Sequence, residues 1–197
     1  MVPLIYQWNV YAILFWIVYV VWFVLEIKGA ITQRVQAEAC KQDRGSMIVL
    51  LVGLYTGLLL NFILPGLFPG ATITWQRSTL VSIGLVLMVL GIILRQYSIQ
   101  VLGQYFTREV ATRADQSVVQ QGPYRFIRHP AYSGTLLTVL GIGLVMTNWA
   151  SLLAILVCSF AGYFYRVLVE ERVLCTSLGQ PYVEYMHHTK RFIPFVF

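Results

Sequence analysis

Two stretches of this chain concentrate side chains that can do chemistry. One is Gly122-Pro123-Tyr124-Arg125-Phe126-Ile127-Arg128-His129-Pro130-Ala131-Tyr132-Ser133-Gly134; the other starts at Arg166, passes through Glu170 and Glu171, and runs to the end. Pro130 stands where a helix can open, because a first-turn N–H has no intrahelical partner to lose. The free N–H groups of that turn, beside Arg128 and His129, would attract an anionic group. In the second stretch Arg166 and Glu170 lie four residues apart, on one helical face. Adjacent carboxylates next to apolar chain are costly unless paired, so Glu170 and Glu171 call for a cationic partner. A third candidate is Arg95, which closes an apolar run and is followed by Gln96 and Gln100. Each group also has a plainer reading: a helix anchor at an interface, an ordinary ion pair at a solvated helix end, and an arginine snorkelling to headgroups. The three cysteines, Cys40, Cys158 and Cys175, have no metal-ligand spacing. Gly141-Ile142-Gly143 lies inside an apolar run with no strand before it, so it is a packing feature and not a phosphate loop.

Composition dictates what must position these side chains. Of 197 residues, 58% are hydrophobic and 11% charged, against about 45–50% and about 25% in soluble domains. Fourteen basic and eight acidic residues cannot build a water-facing shell over so much apolar chain, so lipid must be the solvent for much of it. Soluble, collagen-like, disulfide-scaffold and disordered classes are excluded. The first basic residue is Lys28, so the leading apolar segment lacks the positive start of a secretory leader and is expected to be a retained span.

Residues 10–25 are uninterruptedly apolar, and extension to 4–27 gives a first span. A second is expected over about 47–64, ending at Pro65 and Gly66, and a third over about 78–94, ending at Arg95. Residues 131–169 hold one charge, Arg166. That stretch is too long for one crossing, and the sequence predicts a helical hairpin, spans four and five, folded back at Thr147-Asn148-Trp149. The fold expected is an all-α integral membrane protein of five transmembrane helices with a cytoplasmic C-terminal segment covering a cofactor. One folding unit is expected, with a three-span bundle over 1–94 and the site-bearing region over 95–197.

The net charge of +6 bears on orientation and not on nucleic acid. Lys28, Arg34, Lys41 and Arg44 fall between spans one and two; Arg95, Arg108, Arg113, Arg125 and Arg128 between three and four; Arg166, Arg172, Lys190 and Arg191 in the tail. Arg77 alone is left for the other side, which puts the N-terminus outside and the C-terminus in the cytoplasm. Trp8, Trp75 and Trp149 suit the interfacial belt. Ser133, Gly134, Thr135, Thr138, Gly141 and Gly143 are small enough to let helix backbones approach closely in lipid.

Taken together, Arg128-His129-Pro130-Ala131-Tyr132-Ser133-Gly134, then Glu170-Glu171, Leu178-Gly179, Tyr182, Tyr185 and Arg191-Phe192-Ile193-Pro194 resemble the signature of the isoprenylcysteine carboxyl methyltransferases and their relatives, the membrane phospholipid N-methyltransferases. Arg95, followed by Gly103 and Phe106, is similar to the family segment that supplies an essential arginine. The resemblance covers roughly residues 95–197. Pro181, where many relatives carry an acidic residue, and His187-His188 depart from the pattern.

The resemblance implies S-adenosylmethionine as methyl donor and an acceptor that enters from the bilayer. Expected cofactor-binding residues are Gly122, Tyr124, Arg128, His129, Pro130, Tyr132, Glu171 and Tyr185. Glu171, with Glu170 near it, would receive the donor's ammonium, the N–H groups and side chains around His129 its carboxylate, and tyrosines its adenine or sulfonium. Arg95 and Glu170 are the expected catalytic residues. A prenylcysteine carboxylate is already a nucleophile and needs only desolvation and aim, which the planar fork of Arg95 suits. A phospholipid amine would first have to lose a proton, with Glu170 as the natural base. A guanidinium beside a cationic amine is repulsive, so the carboxylate acceptor is favoured over the amine. A sterol-type membrane reductase and a non-catalytic membrane scaffold are the remaining alternatives.

Overall fold

The computed structural model describes residues 3–7, 9–34, 40–41, 45–103, 111–112 and 117–193. Trp8, Arg44, Phe106, Arg108, Arg113 and Pro194, to which the sequence gives roles above, lie outside the described residues. The chain forms α1 (Val10–Arg34), α2 (Ser46–Leu67), α3 (Arg77–Leu102), α4 (Pro130–Val145), α5 (Trp149–Leu178) and α6 (Gln180–His188). Among the described residues the strand content is one antiparallel pairing of two residues each, β1 (Cys40–Lys41) with β2 (Ala111–Thr112).

Four helices are long and apolar enough to cross a membrane: α1 over Val10–Gly29, and all of α2, α3 and α5. The helix α4 has 16 apolar residues, about 24 Å at 1.5 Å per residue, against a hydrocarbon core of about 30 Å. It leads closely into α5, for only Met146, Thr147 and Asn148 separate the two helices. Thr147 takes a left-handed backbone with φ 47°. Asn148 then caps α5 by accepting the Ser151 N–H at 3.1 Å, and its amide donates to the Phe68 carbonyl at 3.0 Å. That cap ties the turn to the end of α2.

Three helix ends differ from the sequence expectation, for one reason. A charge or a proline was read as a boundary, whereas a helix stops only where its backbone is broken. Pro65 lies inside α2, one turn from its end. Arg95 lies well inside α3, which runs on to Leu102 and stops at Gly103 with φ 56°. The helix is therefore continuous across residues 94–95. In α5, likewise, helix continues past Arg166, Glu170 and Glu171 until Gly179, φ 63°.

Packing is dominated by two helix pairs, α3 against α4 and α2 against α5, with α4 also touching α5. Glycines make the first pair close. A Cβ placed on Gly91 would stand 2.5 Å from the Gly134 carbonyl, and one on Gly134 would stand 2.7 Å from the backbone nitrogen of Arg95. Small residues at facing positions are what lipid-embedded helices use to approach, and here the approach sets the N-terminal turns of α4 against Arg95. The second pair meets through Gly53 and Gly57, which face Cys158 and Ile155.

Candidate active site

The residues singled out in the sequence assemble into two neighbouring groups. The first lies where α4 opens, under the returning C-terminal segment. That segment leaves α6 and pairs in parallel with the chain before α4, Ile127 opposite Lys190. The Arg128 N–H donates to the Lys190 carbonyl at 2.7 Å and the His129 N–H to that of Arg191 at 3.1 Å. The Ser133 hydroxyl donates to the Phe192 carbonyl at 2.7 Å. The N–H groups of Arg128 and His129, next to the first-turn N–H groups expected to attract an anionic group, are thus taken by the chain's own tail. Tyr132 and Ser133 N–H groups are turned back onto the His129 carbonyl.

At the centre of this group Glu171 is 4% exposed and enclosed by two arginines and a histidine. Its Oε1 accepts from Arg128 Nε at 2.8 Å and lies 3.4 Å from His129 Nε2; its Oε2 accepts from Arg191 Nε at 3.0 Å, with Arg191 Nη2 at 2.9 Å. The demand for a cationic partner made by the sequence is met from α4's threshold and from the tail, elements that only the fold brings together. Arg128 also donates to the carbonyls of Met186 and Thr189, so one guanidinium binds α5 and the segment after α6 to the start of α4. Tyr185 donates to the Tyr124 carbonyl at 2.6 Å. Burial pushes the hydroxyls of Tyr124, Tyr182 and Tyr185 upward from their ordinary range, with Glu170 adding to the shift at Tyr124 and Tyr182. All three stay neutral donors at physiological pH. Gly122 and Pro130 contribute backbone: Gly122 holds φ 55° beside Tyr97 of α3, and Pro130 is the first residue of α4.

The second group lines a cavity of about 110 Å³ bounded by α1, α2, α3, α4 and α5. One end is apolar, with Trp22 and Phe23 from α1 and Leu50, Leu51 and Leu54 from α2; the other holds Glu26, Arg95, Tyr132, Tyr163 and Arg166. Arg95 is 7% exposed. Its Nη2 donates to Glu26 Oε2 at 2.9 Å, its Nε is paired with Glu26 Oε1, and its Nη1 donates to the Ala131 carbonyl at 3.2 Å. Arg166, 1% exposed, donates to the Ser46 hydroxyl at 2.8 Å and approaches the Tyr132 hydroxyl at 3.5 Å. Glu170 accepts from that same hydroxyl at 2.7 Å, so Tyr132 stands between the two residues the sequence placed on one helical face.

Tyr132 joins the groups. Its ring stacks on His129 with centroids 5.6 Å apart and planes 5° from parallel, while its hydroxyl faces the cavity's polar end. Glu26 was missed in the sequence, although a lone carboxylate near the end of an apolar span is itself a signal of function. Arg191 enters the sequence reading through its motif and its charge, with no part in the site.

A family model described as "Phospholipid methyltransferase" matches residues 79–180, a range that holds Arg95, Tyr132, Glu170 and Glu171 and leaves out α1 and α2. The chain is similar to protein-S-isoprenylcysteine O-methyltransferase B of Arabidopsis thaliana, at 34% identity over 131 residues, 66% of this chain and 65% of that protein. It is also similar to the protein-S-isoprenylcysteine O-methyltransferase of Tribolium castaneum, at 31% identity over 132 residues, 66% of this chain and 46% of that protein. Among solved structures it resembles the eukaryotic intramembrane Ras methyltransferase, isoprenylcysteine carboxyl methyltransferase, with a TM-score of 0.56 and 25% identity, over 80% of this chain and 55% of that one. The match spans about two thirds of the Arabidopsis relative and about half of the others. The resemblance read from residues 95–197 is borne out by these comparisons.

Proposed function

Because the chain belongs to the phospholipid methyltransferase family, we propose that this integral membrane protein transfers a methyl group from S-adenosylmethionine to the carboxylate of a prenylated cysteine or a similar lipid-linked acceptor. The observation that carries the proposal is Arg95. Its guanidinium, inside an apolar-walled cavity, already holds a carboxylate, that of Glu26, by two nitrogens. A fork so disposed is selective for a planar anion and repels an ammonium.

The donor's chemistry fits the first group. It carries an ammonium, a carboxylate, an adenine and a sulfonium cation, and the group offers both signs of charge in Glu171, Arg128 and Arg191, with the His129 ring, buried tyrosine rings and, across Tyr132, Glu170 beside them. Glu171 or Glu170 would hold the ammonium, Arg128 and His129 the carboxylate, and Tyr124, Tyr132 and Tyr185 the remainder, around the backbone set by Gly122 and Pro130. S-adenosylmethionine supplies an electrophilic methyl group. Arg95 orients the acceptor carboxylate, which is ionised at pH 7 and needs no base. The apolar walls strip water from that carboxylate and raise its reactivity. Tyr132, in contact with both groups, sets the boundary between them.

In the membrane, α4 would complete a short fifth crossing as a hairpin with α5, with the N-terminus outside and the C-terminus and site in the cytoplasm. Residues 95–197 would carry the chemistry, and the segment after α5 would cover the donor. A side-by-side assay tests the function. The purified chain in lipid nanodiscs is given methyl-labelled donor with either an N-acetylated S-prenylcysteine or vesicles containing phosphatidylethanolamine. Label released by mild base from the prenylcysteine product is expected; label fixed in the lipid amine, or in neither acceptor, overturns the proposal.

A further inference from the structure

Glu26 takes no part in the chemistry described above, yet its placement is costly. An acidic residue in a membrane-spanning helix is costly unless it is paired, and α1 otherwise meets the bundle through apolar and aromatic side chains, Phe15 and Trp16 packing on Phe62 of α2, with most of its surface turned outward. Glu26 meets Arg95 of α3 with both carboxylate oxygens. This is the grip by which a guanidinium holds any carboxylate, and the proposed acceptor needs the same grip at the same cavity.

The geometry points to Glu26 as an internal competitor for Arg95, which the acceptor's carboxylate must displace and which takes the fork back once the acceptor is esterified. With the cavity empty of acceptor, Glu26 fills the fork of Arg95. An incoming carboxylate displaces it, since one fork cannot serve two anions and like charges held side by side in a dry site repel. On methylation the acceptor's oxygen forms a bond to carbon as the carbon–sulfur bond breaks, and the bonding pair stays on sulfur. The acceptor loses its charge and no proton moves. The uncharged ester cannot hold Arg95 against Glu26, which retakes the fork. Glu26 is therefore a residue that sets acceptor affinity, contributed by a helix outside the 79–180 family match. This inference rests on the carboxylate-acceptor reading of the site.

The test measures dissociation constants of an N-acetylated S-prenylcysteine and of its methyl ester for the full chain in detergent, by calorimetry. Glu26→Gln should bind the acid about tenfold more tightly, a shift of one decade in affinity, with the ester changed much less. Glu26→Asp, which keeps the charge but shortens its reach, should gain in the same direction by about threefold and serves if the Gln variant does not fold. In turnover, Glu26→Gln should lower the acceptor KM, with donor KM unchanged. Loss of acid affinity in the folded variants, or an equal gain for acid and ester, overturns the inference and leaves Glu26 as a strut for Arg95. If Arg95→Ala binds the acid as tightly as the natural chain does, the carboxylate-acceptor reading itself fails, and the inference falls with it.

Discussion

At the scale of single residues, the account turns on which charges are shared and with whom. Arg95→Ala should reduce methyl transfer by at least about a hundredfold, in line with the loss of one preorganised charge partner, with donor affinity by calorimetry essentially unchanged. Loss of donor binding instead would assign Arg95 to the cofactor. Glu171→Gln removes the anion from between Arg128, His129 and Arg191. Breaking a buried ion network from one side costs about 3 kcal/mol or more, so the thermal unfolding midpoint should fall by several degrees, whereas Glu170→Gln, whose amide oxygen can still accept from Tyr132, should shift it far less. Most of these residues were legible in the sequence because their types and order are unusual: Arg128-His129-Pro130 ahead of Tyr132, and an acidic pair in apolar chain. Glu26 was not singled out because a carboxylate near Lys28 reads as the end of a span, and its partner is 69 residues away.

At the scale of elements, close helix approach fixes where Arg95 can be. Gly134 has no room for a Cβ between the backbones of Arg95 and Gly91, so Gly134→Val should separate α3 from α4, destabilise the fold by about 2 kcal/mol as overpacking does, and lower activity through Arg95. A thermal melt alongside turnover checks this. The tail is held by side-chain bonds of ordinary strength: Tyr185→Phe leaves the Tyr124 carbonyl without its hydroxyl donor, at a cost of about 1 kcal/mol, and should speed proteolysis after α5 while weakening donor binding. The small residues of α4 and the reversal near Thr147 were legible, since glycine spacing and a polar break in apolar chain carry their physical meaning locally. The true ends of α2, α3 and α5 were not. Charges and prolines mark where lipid stops, but Gly103 and Gly179, not Arg95 or Glu171, are where helix stops.

At the scale of the whole molecule, the claim is that a polar, two-signed cluster beneath the tail and a mostly apolar cavity between the helices are halves of one site, joined at Tyr132. Composition made the membrane legible at once, and the order of motifs made the family so. The cavity was beyond reach of the sequence, because its apolar wall comes from α1 and α2, whose residues look like any other lipid-facing span. That wall is where the account is most exposed. A prenylcysteine analogue bearing a photoreactive group on its tail, activated on the chain in nanodiscs and mapped by peptide mass spectrometry, should label Trp22, Leu50 or Leu54, with protection by unlabelled acceptor and loss of labelling in Arg95→Ala. Labelling spread over outward-facing positions of α1 such as Ile13 and Ile17, insensitive to competitor and to Arg95, would contradict it.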